Sequence, residues 1–198
     1  MSEDFTTPNS VSGEEQKHTF RQEAWETLRF LIIALLIVVP VRVFIAQPFI
    51  VSGASMDPTF ADKQYLIVDE LSYRLGDPSR GDVVIFKYPL NPKQYFIKRV
   101  IGLPGETVVD SNGQITINDK DGNLISTLTE PYVVNTKVDN VTRTLGEGEY
   151  FMMGDNRAGS FDSRAWGPVN RDLIVGRAFL RLFPVTELGV FPGQYKQP

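Results

Sequence analysis

One apolar run near the N-terminus constrains the chain more than any other feature. The residues from Phe30 to Val41 carry no charge, and the apolar character resumes after Arg42. A bilayer-spanning helix needs about 20 residues. The segment 25–47 reaches that length if Trp25 and Arg42 lie near the two interfaces, because an arginine side chain can extend to the surface. We therefore predict a transmembrane anchor over 25–47, with a buried core helix as the alternative.

The cations around this segment predict its orientation. Lys17, Arg21 and Arg29 precede or open it, whereas the next cation after Arg42 is Lys63. Lysine and arginine accumulate on the cytoplasmic side of a membrane segment, and the polar N-terminus has the composition of a disordered tail. The predicted organisation is a cytoplasmic tail (1–24), the anchor (25–47) and an extracytoplasmic domain (48–198).

The extracytoplasmic part has the sequence pattern of β structure. Short β-branched and aromatic runs alternate with turn signals: "DVVIFKYP", "QYFIKRVIG", "ETVVD", "QITIND" and "IVGRAFLRLF". The turns "DSNG" and "DKDGN" punctuate residues 107–130, which is typical of a hairpin. We therefore predict a mainly β fold for this domain, with a β-rich insertion over 107–148.

Composition excludes several classes of chemistry. A formal charge of −4 without a basic run argues against a nucleic-acid partner. The chain has no cysteine, so disulfides, thiolate metal sites and a cysteine nucleophile are excluded. The single histidine, His18, lies in the polar tail. Neither a Ser-His-Asp triad nor an ordinary catalytic zinc site is therefore expected, and we predict no metal and no cofactor.

Without histidine, a serine nucleophile needs another base, and a lysine held neutral can serve. The outstanding candidate is Lys98, because Phe96 and Ile97 precede it and Val100 follows it. Burial lowers the pKa of a lysine, and we expect a smaller contribution in the same direction from the charge of Arg99 or Arg164. A strand lysine that points into solvent is the alternative.

Four stretches occur in order after the apolar run: "SGASMDPTF", "RGDVVIFKYP", "YFIKRVIGLPGE" and "MGDNRAGSFDSRAWGPV". Together they resemble the motifs of bacterial type I signal peptidases (leader peptidases), which are membrane-bound Ser-Lys proteases. The resemblance runs from about residue 30 to residue 183. It implies the antiparallel β-sheet catalytic domain of that family, with a protruding β-hairpin region, behind one N-terminal transmembrane helix.

The resemblance also implies roles for individual residues. Ser55 is implied as the nucleophile and Lys98 as the general base, with Ser160 orienting the lysine. Asp162 and Arg164 match the acid and the arginine that support the site through an ion pair and hydrogen bonds. Some members carry a second serine where this chain has Gly53. That departure leaves the Ser55 backbone N–H as the oxyanion donor, and Gly53 contributes only backbone. The implied substrate-pocket residues, with core or membrane-contact roles as the alternative, are Phe49, Val51, Phe60 and Ile97.

The implied activity is the removal of signal peptides from secretory precursors through an acyl-enzyme, at the bacterial cytoplasmic membrane. The implied partners are precursors with small residues before the cut and the lipid bilayer, with no nucleic acid and no metal. Two alternatives remain. One is a Ser-Lys protease that cleaves itself, as self-cleaving repressors do. The other is a catalytically inactive, membrane-tethered adaptor that binds extended peptides.

Overall fold

The computed structural model describes residues 20–40 and 46–195 of the 198-residue chain. Residues 1–19, which belong to the predicted tail, and residues 41–45, which belong to the predicted anchor, lie outside the described residues. The chain divides into two compact units between Pro40 and Val41.

The first unit is a helix, α1 (Phe20–Pro40). It begins at Phe20, so residues 20–24, assigned to the tail by the sequence analysis, are helical. Large apolar side chains are exposed along it; Phe30 is 70% exposed and Leu36 67%. No helix in the described ranges is both long enough and apolar enough to cross a membrane. The anchor over 25–47 stays a prediction.

The second unit consists mainly of short strands. They are β1 (Ala46–Ile50), β2 (Tyr65–Asp69), β3 (Val83–Tyr88), β4 (Asn91–Gly102), β5 (Thr107–Ser111), β6 (Gln114–Asn118), β7 (Leu124–Thr127), β8 (Asn140–Thr144), β9 (Glu149–Met153), β10 (Val169–Asn170), β11 (Ile174–Phe183) and β12 (Gly189–Val190). The helices are α2 (Leu71–Leu75) and α3 (Ser163–Trp166), with 3₁₀ turns at Arg171–Leu173 and Val185–Glu187.

The larger sheet has eight strands in the order β1-β2-β11-β3-β4-β9-β10, and β12 pairs with β11. Its strand pairs are antiparallel, which confirms the predicted mainly β, antiparallel fold class. The long strand β4 connects two parts of this sheet. It pairs with β3 as far as Arg99, and from Arg99 onward it pairs with β9. Lys98 therefore lies where β4 changes partners.

The smaller sheet has four strands in the order β7-β6-β5-β8. β5 and β6 form a hairpin whose turn residues, Asn112 and Gly113, have positive φ angles of 53° and 83°. An Asn-Gly pair accepts that conformation at low cost, which is why it favours tight hairpins. Buried residues of this sheet, Val108 and Ile115 among them, pack with Phe151 of β9.

A second cluster of buried side chains supports the loop between β1 and β2. Met56 and Phe60 of this loop are fully buried, and they pack with Leu66 and Val68 of β2. The two β2 residues point to the same face because side chains alternate along a strand. The loop that contains Ser55 is therefore held against the core by its own apolar residues.

Candidate active site

Ser55 lies in the loop 51–60, which is held at both ends. Two backbone hydrogen bonds join Val51 to the residues that follow the loop. The Val51 N–H donates to the Gln64 carbonyl oxygen at 2.9 Å, and the Val51 carbonyl oxygen accepts from the Lys63 N–H at 2.9 Å. Next to Ser55, Met56 inserts into the core. Gly53 has φ +88°, a left-handed conformation that glycine adopts readily. Ser55 is thus presented from a constrained turn and is only half-buried.

The structure brings Lys98 to this serine. Lys98 is 4% exposed, and its Nζ lies 2.7 Å from Ser55 Oγ. The same Nζ donates a hydrogen bond to the Ile97 carbonyl oxygen at 2.9 Å. This second bond fixes the amine while its lone pair, in the neutral form, remains available to the Ser55 hydroxyl. The alternative of a solvent-pointing lysine is wrong.

Burial lowers the pKa of Lys98 to about 8, and the carboxylates of Asp162 and Asp155 oppose that shift. The expected contribution from Arg99 or Arg164 is absent from these causes. Each arginine is paired with one of these carboxylates, Arg99 with Asp155 and Arg164 with Asp162, and in each pair it is the carboxylate that acts on the lysine. Desolvation is therefore the cause of the low pKa of this amine.

A buried ion pair lies behind the lysine. Arg99, the next residue on β4, donates two hydrogen bonds to Asp155, from Nε at 2.8 Å and from NH2 at 2.6 Å. Asp155 also accepts a hydrogen bond of 2.5 Å from Thr59 Oγ1, and Arg99 donates to the carbonyl oxygen of Gly193 at 2.6 Å. This pair therefore joins the nucleophile loop, the lysine strand, the segment after β9 and the C-terminal segment.

Asp162 and Arg164 form a second ion pair. Arg164 donates from Nε to Asp162 Oδ1 (2.8 Å) and from NH2 to Asp162 Oδ2 (2.8 Å), and its NH1 contacts Asp139 at 3.0 Å. Asp162 also accepts from the N–H of Gly154 at 3.1 Å. Burial alone would raise the pKa of Asp162, but the hydrogen bonds and the charge of Arg164 outweigh burial and lower it. The carboxylate therefore stays ionised and ties the segment 154–164 together.

Ser160 lies in the site but does not hydrogen-bond to Lys98. Its Oγ is buried and forms no hydrogen bond of good geometry within the described residues, although it lies close enough to Asp162 to lower the pKa of that carboxyl. The Ile97 carbonyl, rather than the Ser160 hydroxyl, is the second partner of the Lys98 amine. Ser163, three residues further on, accepts a hydrogen bond from Met152 N at 2.9 Å.

An apolar cleft of about 560 Å³ opens beside Ser55 and Lys98. Three of the four predicted pocket residues line it: Phe49, Val51 and Ile97. Phe60 does not, so the prediction for this residue is wrong. Phe60 is fully buried in the core, with the Arg181 guanidinium 4.9 Å from its ring centre.

Gly53 and Ser55, the two residues predicted to contribute backbone near the oxyanion, differ in whether the backbone N–H is free. The N–H of Gly53 donates to Asp62 Oδ1 at 2.9 Å, so it is already used. Within the part of the chain that the structure describes, the N–H of Ser55 donates no hydrogen bond. Ser55 therefore retains a free backbone donor beside its own hydroxyl.

Sequence reasoning missed several residues of the site. One hydrogen bond joins Asp62 to Gly53 across the loop, and another joins Thr59 to Asp155, which is 96 residues away. No local spacing pattern in the sequence indicates either contact. The "GDN" segment was quoted as part of a motif, but the contacts of Asn156 could not be read from it. Among residues 20–40 and 46–195, no group of three or more His, Cys, Asp or Glu side chains could hold a metal ion.

Comparison with known families agrees with this geometry. The family model described as "Signal peptidase, peptidase S26" matches residues 24–183. The chain belongs to this family. The family membership and the predicted class, a serine endopeptidase, are therefore confirmed.

Individual relatives cover most of the chain. It is 35% identical to a probable signal peptidase I-2 from Synechocystis sp., over 89% of this chain and 81% of that protein. It is 34% identical to a signal peptidase I from Bacillus amyloliquefaciens, over 95% of this chain and 98% of that protein. A crystal structure of a signal peptidase I from Enterococcus faecalis is 32% identical and covers 52% of this chain and 97% of that chain, with a TM-score of 0.45.

Proposed function

We propose that this chain removes signal peptides from secretory precursor proteins, with Ser55 as the nucleophile and Lys98 as the general base. The observation that carries the proposal is the 2.7 Å approach of Lys98 Nζ to Ser55 Oγ, by an amine whose pKa burial lowers to about 8. A lysine with that pKa is neutral often enough near pH 8 to accept a proton.

In the proposed acylation step, the Ser55 hydroxyl oxygen attacks the carbonyl carbon of the scissile peptide bond. The hydroxyl proton passes to the neutral Lys98 amine, and the carbonyl π electrons move to the oxygen, which becomes an oxyanion. When the oxyanion collapses, the C–N bond breaks. The Lys98 ammonium then gives its proton to the leaving amine, which leaves an ester on Ser55 and a neutral lysine.

In the proposed deacylation step, water attacks the ester carbon and Lys98 takes the proton of that water. The bond between Ser55 Oγ and the acyl carbon then breaks, and the proton returns to the serine oxygen. In both steps the free N–H of Ser55 donates to the developing oxyanion. A donor directed at charge that exists only in the transition state contributes directly to the rate.

The substrate is proposed to bind as an extended strand along β4. Among the described residues no strand pairs with the second edge of β4 before Arg99, so this edge can accept a peptide by strand addition. Alternate side chains of such a peptide point the same way, and the first and third residues before the cut would face the apolar cleft. Phe49, Val51 and Ile97 line that cleft and favour small apolar side chains.

The membrane topology is part of the same proposal. We propose that residues 25–47 anchor the chain in the cytoplasmic membrane, with the N-terminus in the cytoplasm and residues 48–198 outside. The exposed apolar side chains of α1 support it, because a helix that exposes large apolar groups in water is unfavourable. Protease added to the outside of spheroplasts should digest the domain and spare an N-terminal tag; the reverse pattern would contradict the topology.

A cleavage assay tests the activity. The full chain in detergent is incubated with a precursor that has Ala-x-Ala before the cut, and Ser55→Ala is compared with Ser111→Ala, a matched change at an exposed serine of β5. Ser55→Ala should abolish cleavage, and Ser111→Ala should retain the wild-type rate. Cleavage by folded Ser55→Ala at a comparable rate would overturn the proposal.

A further inference from the structure

The side chain of Asn156 contacts the backbone of the nucleophile loop. Its Nδ2 donates a hydrogen bond to the Ala54 carbonyl oxygen at 3.0 Å, and its backbone N–H donates to the Ser55 carbonyl oxygen at 3.2 Å. Asn156 thus holds the two carbonyl groups that flank the backbone of the nucleophile.

The Asn156 amide is itself oriented by two neighbours. Its Oδ1 accepts a hydrogen bond from the N–H of Gly159 at 3.0 Å and another from Asn135 Nδ2 at 3.1 Å. Because Oδ1 faces two donors, Nδ2 is the atom that faces Ala54. The bond to the Ala54 carbonyl therefore has a defined donor and a defined direction.

The Ala54 carbonyl and the Ser55 N–H belong to the same peptide unit. A trans peptide unit is planar, and its C=O and N–H point in opposite directions. A donor that fixes the Ala54 carbonyl therefore fixes the direction of the Ser55 N–H. The bond from Asn156 N to the Ser55 carbonyl restricts the next peptide unit as well, so Ser55 is held on both sides.

We propose that Asn156 is a positioning residue that directs the Ser55 N–H toward the oxyanion. This inference rests on the proposed function, because it assumes that Ser55 is the nucleophile. The Ser55 N–H has no other partner within the described ranges, and both Ala54 and Ser55 line the cleft. The donor is therefore free and belongs to a residue at the cleft. The Ala54 carbonyl that sets its direction is held by Asn156 together with the Asp57 N–H, which donates to the same oxygen at 3.2 Å.

The inference predicts a specific kinetic effect. Removing a whole oxyanion donor costs roughly 10²–10³ in kcat, and misdirecting one should cost about 10–100-fold. KM should change less than about threefold, because the charge that the donor stabilises is present only in the transition state. The pH at which kcat/KM rises should stay the same, because Lys98 is unchanged.

The experiment uses the full chain in detergent and the variants Asn156→Ala and Asn156→Leu, the second of which keeps most of the side-chain volume. The matched control is Asn140→Ala, at an exposed asparagine of β8, and Ser55→Ala is included. Affinity for a peptide aldehyde ending in Ala-x-Ala is compared with that for the same peptide ending in an amide. Only the aldehyde forms an oxyanion-like adduct: Ser55 Oγ bonds its carbonyl carbon, the hydroxyl proton passes to Lys98, and the carbonyl π electrons move to the oxygen.

The expected result is a 10–100-fold loss of kcat in both Asn156 variants, with a parallel loss of affinity for the aldehyde and an unchanged affinity for the amide. Near-wild-type kcat, a rise in KM alone, or loss of folding in both variants would overturn the inference. If those results accompany an inactive Ser55→Ala, the proposed function survives. If folded Ser55→Ala remains active, the proposed function fails together with the inference.

Discussion

Gly154 packs against Ser160 so closely that no side chain fits between them. A Cβ atom built on Gly154 would lie 2.6 Å from Ser160 Cβ and would overlap both Ser160 Oγ and the Ser55 carbonyl oxygen. The Gly154 N–H donates a hydrogen bond to the Asp162 carboxylate, and the Gly154 carbonyl oxygen accepts one from Arg157 Nε. Its position therefore sets how near the segment after β9 comes to the nucleophile.

Gly154→Ala should consequently separate Ser160 from the nucleophile loop. We expect kcat/KM to fall at least about 100-fold, since displacements of about 1 Å at a site have effects of that size, and the free energy of unfolding to fall by about 1–3 kcal/mol from overpacking. Cleavage kinetics and thermal unfolding measure the two effects. Gly189→Ala is the control, because a Cβ atom added at Gly189 would lie no closer than 3.8 Å to any other atom outside the adjacent residues. Wild-type activity of Gly154→Ala would show that this close packing is unnecessary.

Phe49 and Phe60 should respond differently to truncation. Phe60 is fully buried, so Phe60→Ala should lower the free energy of unfolding by about 3–5 kcal/mol. Phe49 lines the cleft, so Phe49→Ala should cost less stability and should admit larger residues before the cut. Cleavage of a peptide series from Ala to Leu at the third position before the cut, together with denaturant unfolding, separates the two roles. A relaxed preference in Phe60→Ala would contradict the assignment of Phe60 to the core.

The fold was predictable where local patterns are strong. Each of the five quoted β-branched and aromatic runs coincides with a strand to within one residue at either end or lies inside one, and the Asn112–Gly113 turn closes a hairpin. The short helices α2 and α3 were missed because they are too short to show a helical period. The strand order of the larger sheet could not be predicted from the sequence either. Strand β11 lies between β2 and β3, and its contacts with them join residues far apart in the chain.

The chemistry of the site was predictable only where a motif carried it. Ser55 and Lys98 came from the resemblance, and their 43-residue separation gives no local signal. Phe60 was misassigned because an aromatic residue near a nucleophile looks the same in sequence whether it faces a cleft or the core. The effect of Arg99 was misjudged because its partner, Asp155, lies 56 residues away, and the neutralising contact exists only in the folded chain.

Lys98→Met should stabilise the protein at neutral pH. The folded-state pKa of Lys98 is lowered to about 8 from 10.5, so the unfolded state binds more protons between these pH values and wild-type stability rises with pH across that window. Below pH 8 the wild type carries the full cost of burying this group, and Met removes it. Denaturant unfolding should show a gain of about 1–3 kcal/mol at pH 7 that shrinks toward pH 10.5.

Lys93→Met, at an exposed lysine of the same strand, is the control and should leave stability nearly unchanged at every pH. A Lys98→Met variant that is less stable than the wild type at pH 7, or whose difference from the wild type grows as pH rises to 10.5, would contradict the assigned cause of the low pKa.

The central claim is that neutral Lys98 removes the proton of Ser55, and the pH dependence of kcat/KM tests it most directly. This quantity reports the ionisation of the free enzyme. Purified wild type and Lys98→Arg are assayed from pH 6 to 10 on the Ala-x-Ala precursor, with circular dichroism to establish that both are folded. We predict a rising limb near pH 8 for the wild type and no cleavage by Lys98→Arg, because a guanidinium stays protonated. A limb near 10.5 in the wild type, or appreciable cleavage by folded Lys98→Arg, would contradict the account.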